Sequence, residues 1–339
     1  MRYAKLIAAI ALTSTVSSYA SAEDKSDSFY QGKTIQLFIG YSAGGGYDVY
    51  ARLVARYMGA HIPGNPDIIP VNMPGAGSLR LANWLYNAAP RDGTAIGAVA
   101  RGVAFDPLLN PGDSEYEASK FNWLGSVNNE VSVCVAWHTS GVSSIDDLTK
   151  TEITVGGTGG AADTDQFPKI MNGVVGTKMR VITGYPGGND IGLAMERGEV
   201  AGRCGWSWSS VVSTRPDWLQ DKKINVLVQL ALKRHQDLPD IPLIMDFAKT
   251  TDQKQLLRLV FARQTMGRPI VAPPAVPEER VALLRKAFMA TVKDPGFLAE
   301  AKKAKLEIDP VSGEEVQDLV NEAYATPKAV VNRITEMLN

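Results

Sequence analysis

The segment spanning residues 35–58 constrains the fold of this chain more than any other part of the sequence. An apolar run, residues 35–39, is followed by three consecutive glycines at 44–46 and then by apolar residues at helical spacing over 49–58. A strand, a glycine turn and a helix in this order expose the first N–H groups of the helix, at the positive end of its dipole. The segment therefore predicts an anion-binding turn, and we expect the anion to be a ligand carboxylate.

The N-terminus has the pattern of an export signal. Arg2 and Lys5 precede a short apolar run, and the tripeptide that ends at Ala22 matches an A-x-A cleavage site. The run is shorter than the about 20 apolar residues that cross a bilayer. We predict a signal peptide over residues 1–22, with cleavage near Ala22, and an exported mature chain.

The net charge and the length of the mature chain limit the classes of function that this protein can have. Removing the signal leaves 35 − 2 = 33 basic and 36 acidic residues, a net charge of −3 without basic clusters. This balance gives no basis for binding nucleic acid or an anionic membrane. The mature length, 339 − 22 = 317 residues, suggests two domains.

Strand-like runs alternate with helical patterns, which indicates an α/β fold with mainly parallel sheets. No repeat and no low-complexity linker divides the chain, so we expect strands that cross between two lobes. Helices are expected after Pro277, Ser312 and Pro327, and we interpret this last third as scaffold. The candidate strands are residues 34–39, 68–71, 95–99, 131–137, 153–155, 180–182, 200–204, 226–229 and 269–272.

The chain has two cysteines, Cys134 and Cys204, each inside an apolar strand-like run. An oxidising compartment permits a disulfide between them, and two separate buried thiols are the alternative. Because no histidine clusters with them, we expect no metal site, and nothing in the sequence calls for a cofactor.

A second glycine loop follows the candidate strand 68–71. Asn72 and Ser78 offer hydrogen-bonding side chains, and Gly75, Ala76 and Gly77 allow close backbone approach. The alternative is a turn that merely requires small residues. Since ligands bind beyond the carboxyl ends of parallel strands, we expect both loops to meet one ligand.

The middle of the chain supplies a second pair of glycine loops, at 156–163 and 184–190, followed by a tryptophan-rich segment at 205–209. Thr158 and Tyr185 carry hydroxyls that can face a ligand from a second lobe. The tryptophans are either core residues or the wall of a cleft. Four glycine loops, two from each half, predict a clamp around a small anion.

The first loop permits one rival interpretation. Residues 40–44 fit G-x-S-x-G, the nucleophile elbow of serine hydrolases, with Ser42 as nucleophile. Only three histidines exist in the chain, and only one could complete a triad. We therefore keep a secreted serine hydrolase as a remote alternative and expect a protein that is not an enzyme.

The two charged residues near these loops, Asp48 and Arg101, are expected to have different roles. Asp48 caps the helix and pairs with Arg52 at i+4, so we expect it to shape the loop unless the ligand carries an amine. Arg101 follows the strand 95–99 and is either a surface residue or the partner of a second carboxylate. The candidate ligand contacts are Tyr41, Ser42, Gly44, Gly45, Gly46, Asp48, Asn72, Gly75, Ala76, Gly77, Ser78, Arg101, Thr158, Gly159, Ala162, Asp163, Tyr185, Gly187, Trp206 and Ser207.

These loops resemble those of the Bug family, the periplasmic receptors of tripartite tricarboxylate transporters. GGGYDVYAR at 44–52 and NMPGAG at 72–77 fit the family's two signature segments. PRDGT at 90–94, LPDIP at 238–242 and APPAVP at 272–277 resemble further family segments, in the same order. Ala43 stands where the family commonly has proline and Leu243 where it has threonine, so pocket specificity does not carry over.

The resemblance implies a two-lobed periplasmic binding protein of type II-like fold, with a hinge between the lobes. Lobe 1 would comprise residues 30–127 plus 250–339, and lobe 2 residues 128–249. Such a receptor captures a small carboxylate, organic or amino acid, and delivers it to a membrane permease. We expect a monomer without nucleic-acid partners; the alternative is a receptor of the same fold that signals to a membrane sensor.

Overall fold

The computed structural model describes residues 28–112 and 114–339, so the predicted signal peptide lies outside the described residues. The strands are β1 (Thr34–Ile39), β2 (Asp67–Asn72), β3 (Ala95–Ala98), β4 (Asn122–Ser126), β5 (Ser132–Trp137), β6 (Ile153–Gly156), β7 (Met179–Ile182), β8 (Gly202–Ser207), β9 (Ile224–Leu230), β10 (Pro269–Ala272) and β11 (Val311–Ser312). The α-helices are α1 (Gly46–Met58), α2 (Leu79–Asn87), α3 (Asp106–Leu109), α4 (Ile145–Lys150), α5 (Asp163–Val175), α6 (Gly188–Glu196), α7 (Trp208–Thr214), α8 (Pro216–Gln220), α9 (Thr251–Ala262), α10 (Glu278–Thr291), α11 (Pro295–Lys303), α12 (Gly313–Tyr324) and α13 (Lys328–Leu338).

Two sheets organise these elements. The first has the strand order β11-β4-β10-β3-β1-β2, and the second has the order β7-β6-β8-β5-β9. The first sheet takes its strands from both ends of the described chain, and the second takes them from the middle. The chain thus passes from one sheet to the other and back, which gives the two-lobed α/β fold expected from the sequence. The boundaries proposed for the two lobes stay a prediction.

Both sheets are mixed, whereas the sequence predicted mainly parallel ones. β1 runs parallel to β2 and β3, and β6 runs parallel to β7 and β8. β10 and β11 pair antiparallel in the first sheet, and β5 pairs antiparallel with β8 and β9. The parallel strands follow one another through crossover helices. β5 follows β4 of the other lobe directly, and β10 follows β9 of the other lobe through a long connection that includes α9. Neither strand is therefore joined to a strand of its own sheet by the crossover that fixes a parallel direction.

Helix α1 shows how the first lobe positions its glycine loop. Leu53, Val54 and Met58 are buried on the face that the spacing predicted, while Arg56 on the opposite face is exposed. The buried face belongs to a core with β1, β3, β10, α10 and α11. Because this core fixes the axis of α1, it also fixes where the first turn of the helix points.

The second lobe contains the disulfide. Cys134 on β5 and Cys204 on β8 are joined, and both are buried under α5 beside Met171. The bridge therefore ties the central strand of the second sheet, β8, to its neighbour β5. In the described part of the chain, no helix combines the length and the apolar character that a membrane span requires.

Candidate ligand-binding site

A cavity of about 50 Å³ lies between the two lobes, beyond the carboxyl ends of β1 and β3 on one side and of β6 and β8 on the other. This is the position at which open α/β sheets bind ligands. Of the residues expected from the sequence, those that line it are Tyr41, Gly45, Gly46, Arg101, Thr158, Ala162, Asp163, Trp206 and Ser207.

Three helices begin at this cavity. α1 starts at Gly46, α5 at Asp163 and α6 at Gly188, and all three residues line the cavity wall. In α1 the first backbone hydrogen bond runs from the Val49 N–H to the Gly45 carbonyl oxygen (3.0 Å), so the amides before Val49 have no partner within the helix. The positive ends of three helix dipoles therefore converge on one small space, which favours an anion.

Two arginines in the wall have acidic partners. The Nε of Arg101 lies 2.5 Å from Asp163 Oδ2, and this buried pair connects the two lobes. Burial opposes the charge of Arg101, but Asp163 outweighs it and holds the pKa of Arg101 above its ordinary value. Arg268 lies 3.3 Å from Glu130 Oε2 and is also buried. Arg101 is thus a buried residue rather than a surface one, and its charge is already compensated.

Two further arginines in the wall, Arg203 and Arg215, have no carboxylate within 4.0 Å among the described residues. Arg203 donates from Nη1 to the Gly188 carbonyl (3.0 Å), and its guanidinium lies 4.6 Å from the ring centroid of Trp206. Burial, reinforced by repulsion from Arg215 and the other arginines, lowers the pKa of Arg203 to about 9. The side chain is therefore charged at neutral pH, and the cavity carries an excess of positive charge.

Asp48 shapes the first loop and does not line the cavity. Its carboxylate accepts hydrogen bonds from Arg52 Nε (2.9 Å), Asn72 Nδ2 (2.8 Å) and the Gly44 N–H (2.9 Å). Burial would raise the pKa of Asp48, but these donors outweigh it and lower the pKa. Asp48, Asn72 and Gly44 thus hold the loop in shape, outside contact with the cavity.

The second glycine loop contacts the other lobe instead of the cavity. The Gly77 N–H donates to the Thr158 carbonyl of the second lobe (2.8 Å), while Ser78 Oγ accepts from the Ala100 N–H within the first lobe (3.1 Å). A Cβ on Gly159 would lie 2.3 Å from the carbonyl carbon of Ala76, so these loops pack backbone against backbone. The Gly77 amide is used between the lobes, which the sequence did not reveal. The residues placed here rather than in the cavity wall are Gly75, Ala76, Gly77, Ser78 and Gly159.

Ser42 also bridges the lobes. Its N–H donates to the Pro186 carbonyl (3.2 Å), and its Oγ donates to Asp190 Oδ2 (2.6 Å). A Cβ on Gly187 would lie 2.3 Å from that Oγ, so the glycine permits the contact. Tyr185 and Gly187 lie outside the cavity wall. Among the described residues no histidine nitrogen is hydrogen-bonded to Ser42, so the hydrolase alternative lacks a positioned base.

Sequence reasoning missed several residues in the wall. Tyr47 and Gly188 belong to loops that were recognised, but Arg203, Ser210 and Arg268 were not singled out. One signal was present for Arg203, since it interrupts an otherwise apolar strand-like run. Arg268 belongs to the last third of the chain, which had been interpreted as scaffold, and only the return of β10 to the first sheet brings it to the cavity.

One cluster outside the cavity has the composition of a metal site. The ligand atoms of His235, Asp237 and Glu307 all lie within 4.8 Å of one another. His235 Nε2 is 3.0 Å from Glu307 Oε1, and Nδ1 accepts from the Asp237 N–H (3.1 Å). Both ring nitrogens therefore have partners within the protein.

Comparison with known proteins gives relatives along nearly the whole chain, although no family model matches. A protein of Cupriavidus necator described as "UPF0065 protein in gbd 5'region" is 24% identical over 330 residues, covering 92% of this chain and 90% of that protein. The periplasmic binding protein BugD superposes with a TM-score of 0.71 at 20% identity, over 91% of this chain and 97% of BugD. MatC from Rhodopseudomonas palustris, solved with bound malate, gives a TM-score of 0.70 at 18% identity, over 91% and 99% of the two chains.

At these identities the solved structures establish the fold, and the Cupriavidus necator protein shows that the similarity in sequence extends over nearly the whole chain. The two mixed sheets flanked by helices are those of the periplasmic binding proteins. The chain is thus similar in fold and in sequence to the Bug-type periplasmic binding proteins, which confirms the family resemblance predicted from its loops.

Proposed function

We propose that this chain is a periplasmic receptor that binds a small carboxylate between its two lobes and delivers it to a membrane permease. The observation that carries the proposal is the positive cavity, where three helix N-termini converge with four arginines of which two have acidic partners. Backbone amides and guanidinium groups are the donors that carboxylates bind most strongly.

The size of the cavity favours a small ligand. A single water molecule needs about 10–15 Å³ of such space, so the cavity volume of about 50 Å³ accommodates roughly four waters. An aliphatic acid of a few carbons has a comparable size. Long-chain acids and ligands with several rings are too large for the lobes in this arrangement.

Contacts between the lobes indicate how the ligand would be enclosed. The Ser42–Asp190 and Gly77–Thr158 hydrogen bonds flank the cavity, and the Arg101–Asp163 pair contributes to its wall. Entry of a ligand requires these contacts to separate, so we infer an open form related to this one by a hinge motion. Binding and closure would then be one coupled event.

The similar proteins support the rest of the proposal. BugD is described as a periplasmic binding protein and MatC was solved with malate, and the predicted export signal fits the same compartment. A binding protein without catalytic activity suits the position of Ser42, the serine of the hydrolase alternative, which lies outside the cavity wall and donates its Oγ to Asp190. The alternative of a receptor that signals to a membrane sensor uses the same cavity and differs only in the partner.

Thermal unfolding of the mature chain, residues 23–339, tests the binding step. The protein is first unfolded and refolded to remove co-purified ligand, and native mass spectrometry verifies that it is ligand-free. A carboxylate at 100 times its Kd should stabilise the protein by about 2.7 kcal/mol, whereas its neutral amide should have no effect. If no carboxylate of up to six carbons shifts the unfolding midpoint, the receptor proposal is wrong. Co-purification with membrane proteins separates permease from sensor.

A further inference from the structure

One of the three histidines of the chain pairs with a carboxylate of the opposite lobe. His235 Nε2 lies 3.0 Å from Glu307 Oε1; His235 follows β9 of the second sheet, whereas Glu307 lies between α11 and β11 of the first lobe. His61 Nε2 lies 3.2 Å from Asp294 Oδ2, and both of these residues belong to the first lobe. Among the described residues, His138 has no carboxylate within 4.0 Å.

Hydrogen bonds hold each partner of the His235–Glu307 pair to its own lobe. The His235 N–H donates to Oε1 of Gln229 on β9 (2.7 Å), and the imidazole, 12% exposed, lies beside the ring of Trp208. The Tyr50 hydroxyl on α1 donates to the Glu307 carbonyl (3.1 Å) and accepts from the Glu307 N–H (3.0 Å). Because both partners are anchored, separating the lobes also separates the imidazole from the carboxylate.

The pair lies along the same contact between the lobes as the cavity. Here α1 of the first lobe faces α7 of the second, and a Cβ on Gly46 would lie 1.9 Å from Ser210 Oγ. Tyr50, which holds the glutamate, stands one turn further along α1, and Trp208, beside the histidine, begins α7. A motion that parts α1 from α7 to admit a ligand therefore breaks the pair as well.

We propose that the His235–Glu307 pair is a pH-dependent latch between the lobes, so that the receptor holds its ligand more tightly in acid than in mildly alkaline solution. This inference rests on the proposed function, because it requires the lobes to separate when a ligand enters or leaves.

The charges around His235 favour its protonated form while the lobes are together. The hydrogen bond to the Glu307 carboxylate raises the pKa of His235 above its ordinary value, and burial of the ring opposes this shift without cancelling it. The carboxylates of Asp237 and Glu130 raise the pKa of the ring further. The arginines beside these residues have carboxylate partners of their own, in the pairs Arg234–Asp246 and Arg268–Glu130.

The ring is satisfied by the protein in both protonation states. Nδ1 accepts from the Asp237 N–H (3.1 Å), so the neutral ring carries its hydrogen on Nε2 and donates it to Glu307. A second proton on Nδ1 displaces this amide and faces the Asp237 carboxylate, whose Oδ2 is 3.8 Å away. Neither nitrogen is therefore free to act as a metal ligand. Protonation replaces a hydrogen bond from a neutral ring by one from an imidazolium, which is the stronger of the two.

The sign of the pH effect follows from linkage. When the lobes part, His235 loses Glu307 and its pKa falls back toward the ordinary value of about 6.5, so closure takes up protons. The latch is fully present below about pH 6.5 and is lost as the pH rises through the raised pKa of the closed form. A ligand that needs the closed form is bound more weakly over the same range.

Isothermal titration of the ligand-free mature chain with malate, in buffers that contain a chelator, tests the latch. From about pH 5.5 to about pH 8 the Kd of the wild type should rise about 3- to 10-fold more than that of His235→Gln, a modest factor because Glu307 is partly exposed. This comparison cancels the titration of malate and of Arg203, which both proteins share. At about pH 7, heats measured in phosphate and in Tris should show uptake of about 0.3–0.5 proton by the wild type.

Two further variants assign the effect to the pair. Glu307→Gln keeps the histidine but removes its carboxylate, so it should lose the pH dependence as His235→Gln does. His61→Gln removes a histidine whose partner lies in the same lobe, and this matched control should keep the pH dependence of the wild type. At about pH 8 all three variants should bind malate within about twofold of the wild type, because the latch is then weak.

The same Kd change with pH in the wild type and in His235→Gln would overturn the latch while the receptor function stands. A loss of affinity in His235→Gln that is equal at every pH would show a structural role and overturn it too. If malate does not bind, small-angle scattering of the ligand-free protein decides: the radius of gyration should be smaller at about pH 5.5 than at about pH 8 in the wild type only, and not in His235→Gln. An equal radius at both pH values would then overturn the latch, and the thermal screen of carboxylates decides the receptor function separately.

Discussion

Replacement of Gly46 by alanine tests whether the lobes close around the ligand as they do in this structure. A Cβ at this position would lie 1.9 Å from Ser210 Oγ and 2.9 Å from Ser210 Cβ, across the cavity. Both are far inside van der Waals contact, so the lobes would have to separate or the serine would have to move. Gly46 itself is helical, and alanine in a helix is more favourable than glycine by up to about 1 kcal/mol. The unliganded protein should therefore be as stable as the wild type, or more stable.

The expected loss of affinity follows from the cost of overpacking. Forcing an extra carbon into a packed contact costs about 1–3 kcal/mol, and each 1.4 kcal/mol is a factor of ten. Gly46→Ala should therefore raise the Kd for a bound carboxylate by about 5- to 150-fold in isothermal titration. The double variant Gly46→Ala with Ser210→Gly removes the overlap and should bind within about threefold of Ser210→Gly alone. Wild-type affinity in the single variant would refute the closed arrangement of the lobes.

Three further predictions concern stability. Asp163→Asn leaves Arg101 without its buried carboxylate and should lower the free energy of unfolding by about 3 kcal/mol in urea; a loss below about 1 kcal/mol would contradict the pairing. The hydrogen bond to Glu307 raises the pKa of His235 above its ordinary 6.5, so the pair stabilises the fold fully below about pH 6.5 and less as the pH rises through the raised pKa. His235→Gln should then lower the thermal midpoint at about pH 5.5 and have little effect at about pH 9, and an equal effect at both would refute this role. Reducing the disulfide between β5 and β8, whose cysteines are 70 residues apart, should cost about 4 kcal/mol, and an unchanged midpoint would argue against the bridge.

The local sequence pattern was sufficient to predict the strands and helices whose ends are marked by turn-forming or capping residues. The glycines before α1 and the capping box of Ser312 with Glu315 both mark helix starts, and α1 and α12 begin where these signals stand. β4 and β11 were missed. β11 has two residues, and β4 contains Asn122 and Gly125 instead of a continuous apolar run. β4 takes its place in the sheet by pairing with β10, and β11 by pairing with β4, which are tertiary effects.

The residues of the site were only partly predictable, because their positions also depend on tertiary structure. A glycine loop after a strand can be recognised from the sequence. Whether its amides face a cavity or another loop depends on how the two lobes pack against each other. The loops at Gly46 and Gly77 look alike in sequence, yet the first lines the cavity and the second bonds to Thr158. The arginines of the wall come from three separate parts of the chain, and a lone arginine such as Arg268 carries no pattern that marks it as part of a site.

The central claim is that a ligand carboxylate binds at the cavity between the lobes, against the first turn of α1. An experimental structure of the mature chain with a bound small carboxylate, prepared from ligand-free protein, tests this most directly. The account predicts a carboxylate of the ligand inside the cavity, within about 3.2 Å of the Gly46 or Tyr47 amide nitrogen. A ligand bound elsewhere on the molecule, with these amides facing only solvent or protein, would contradict the account.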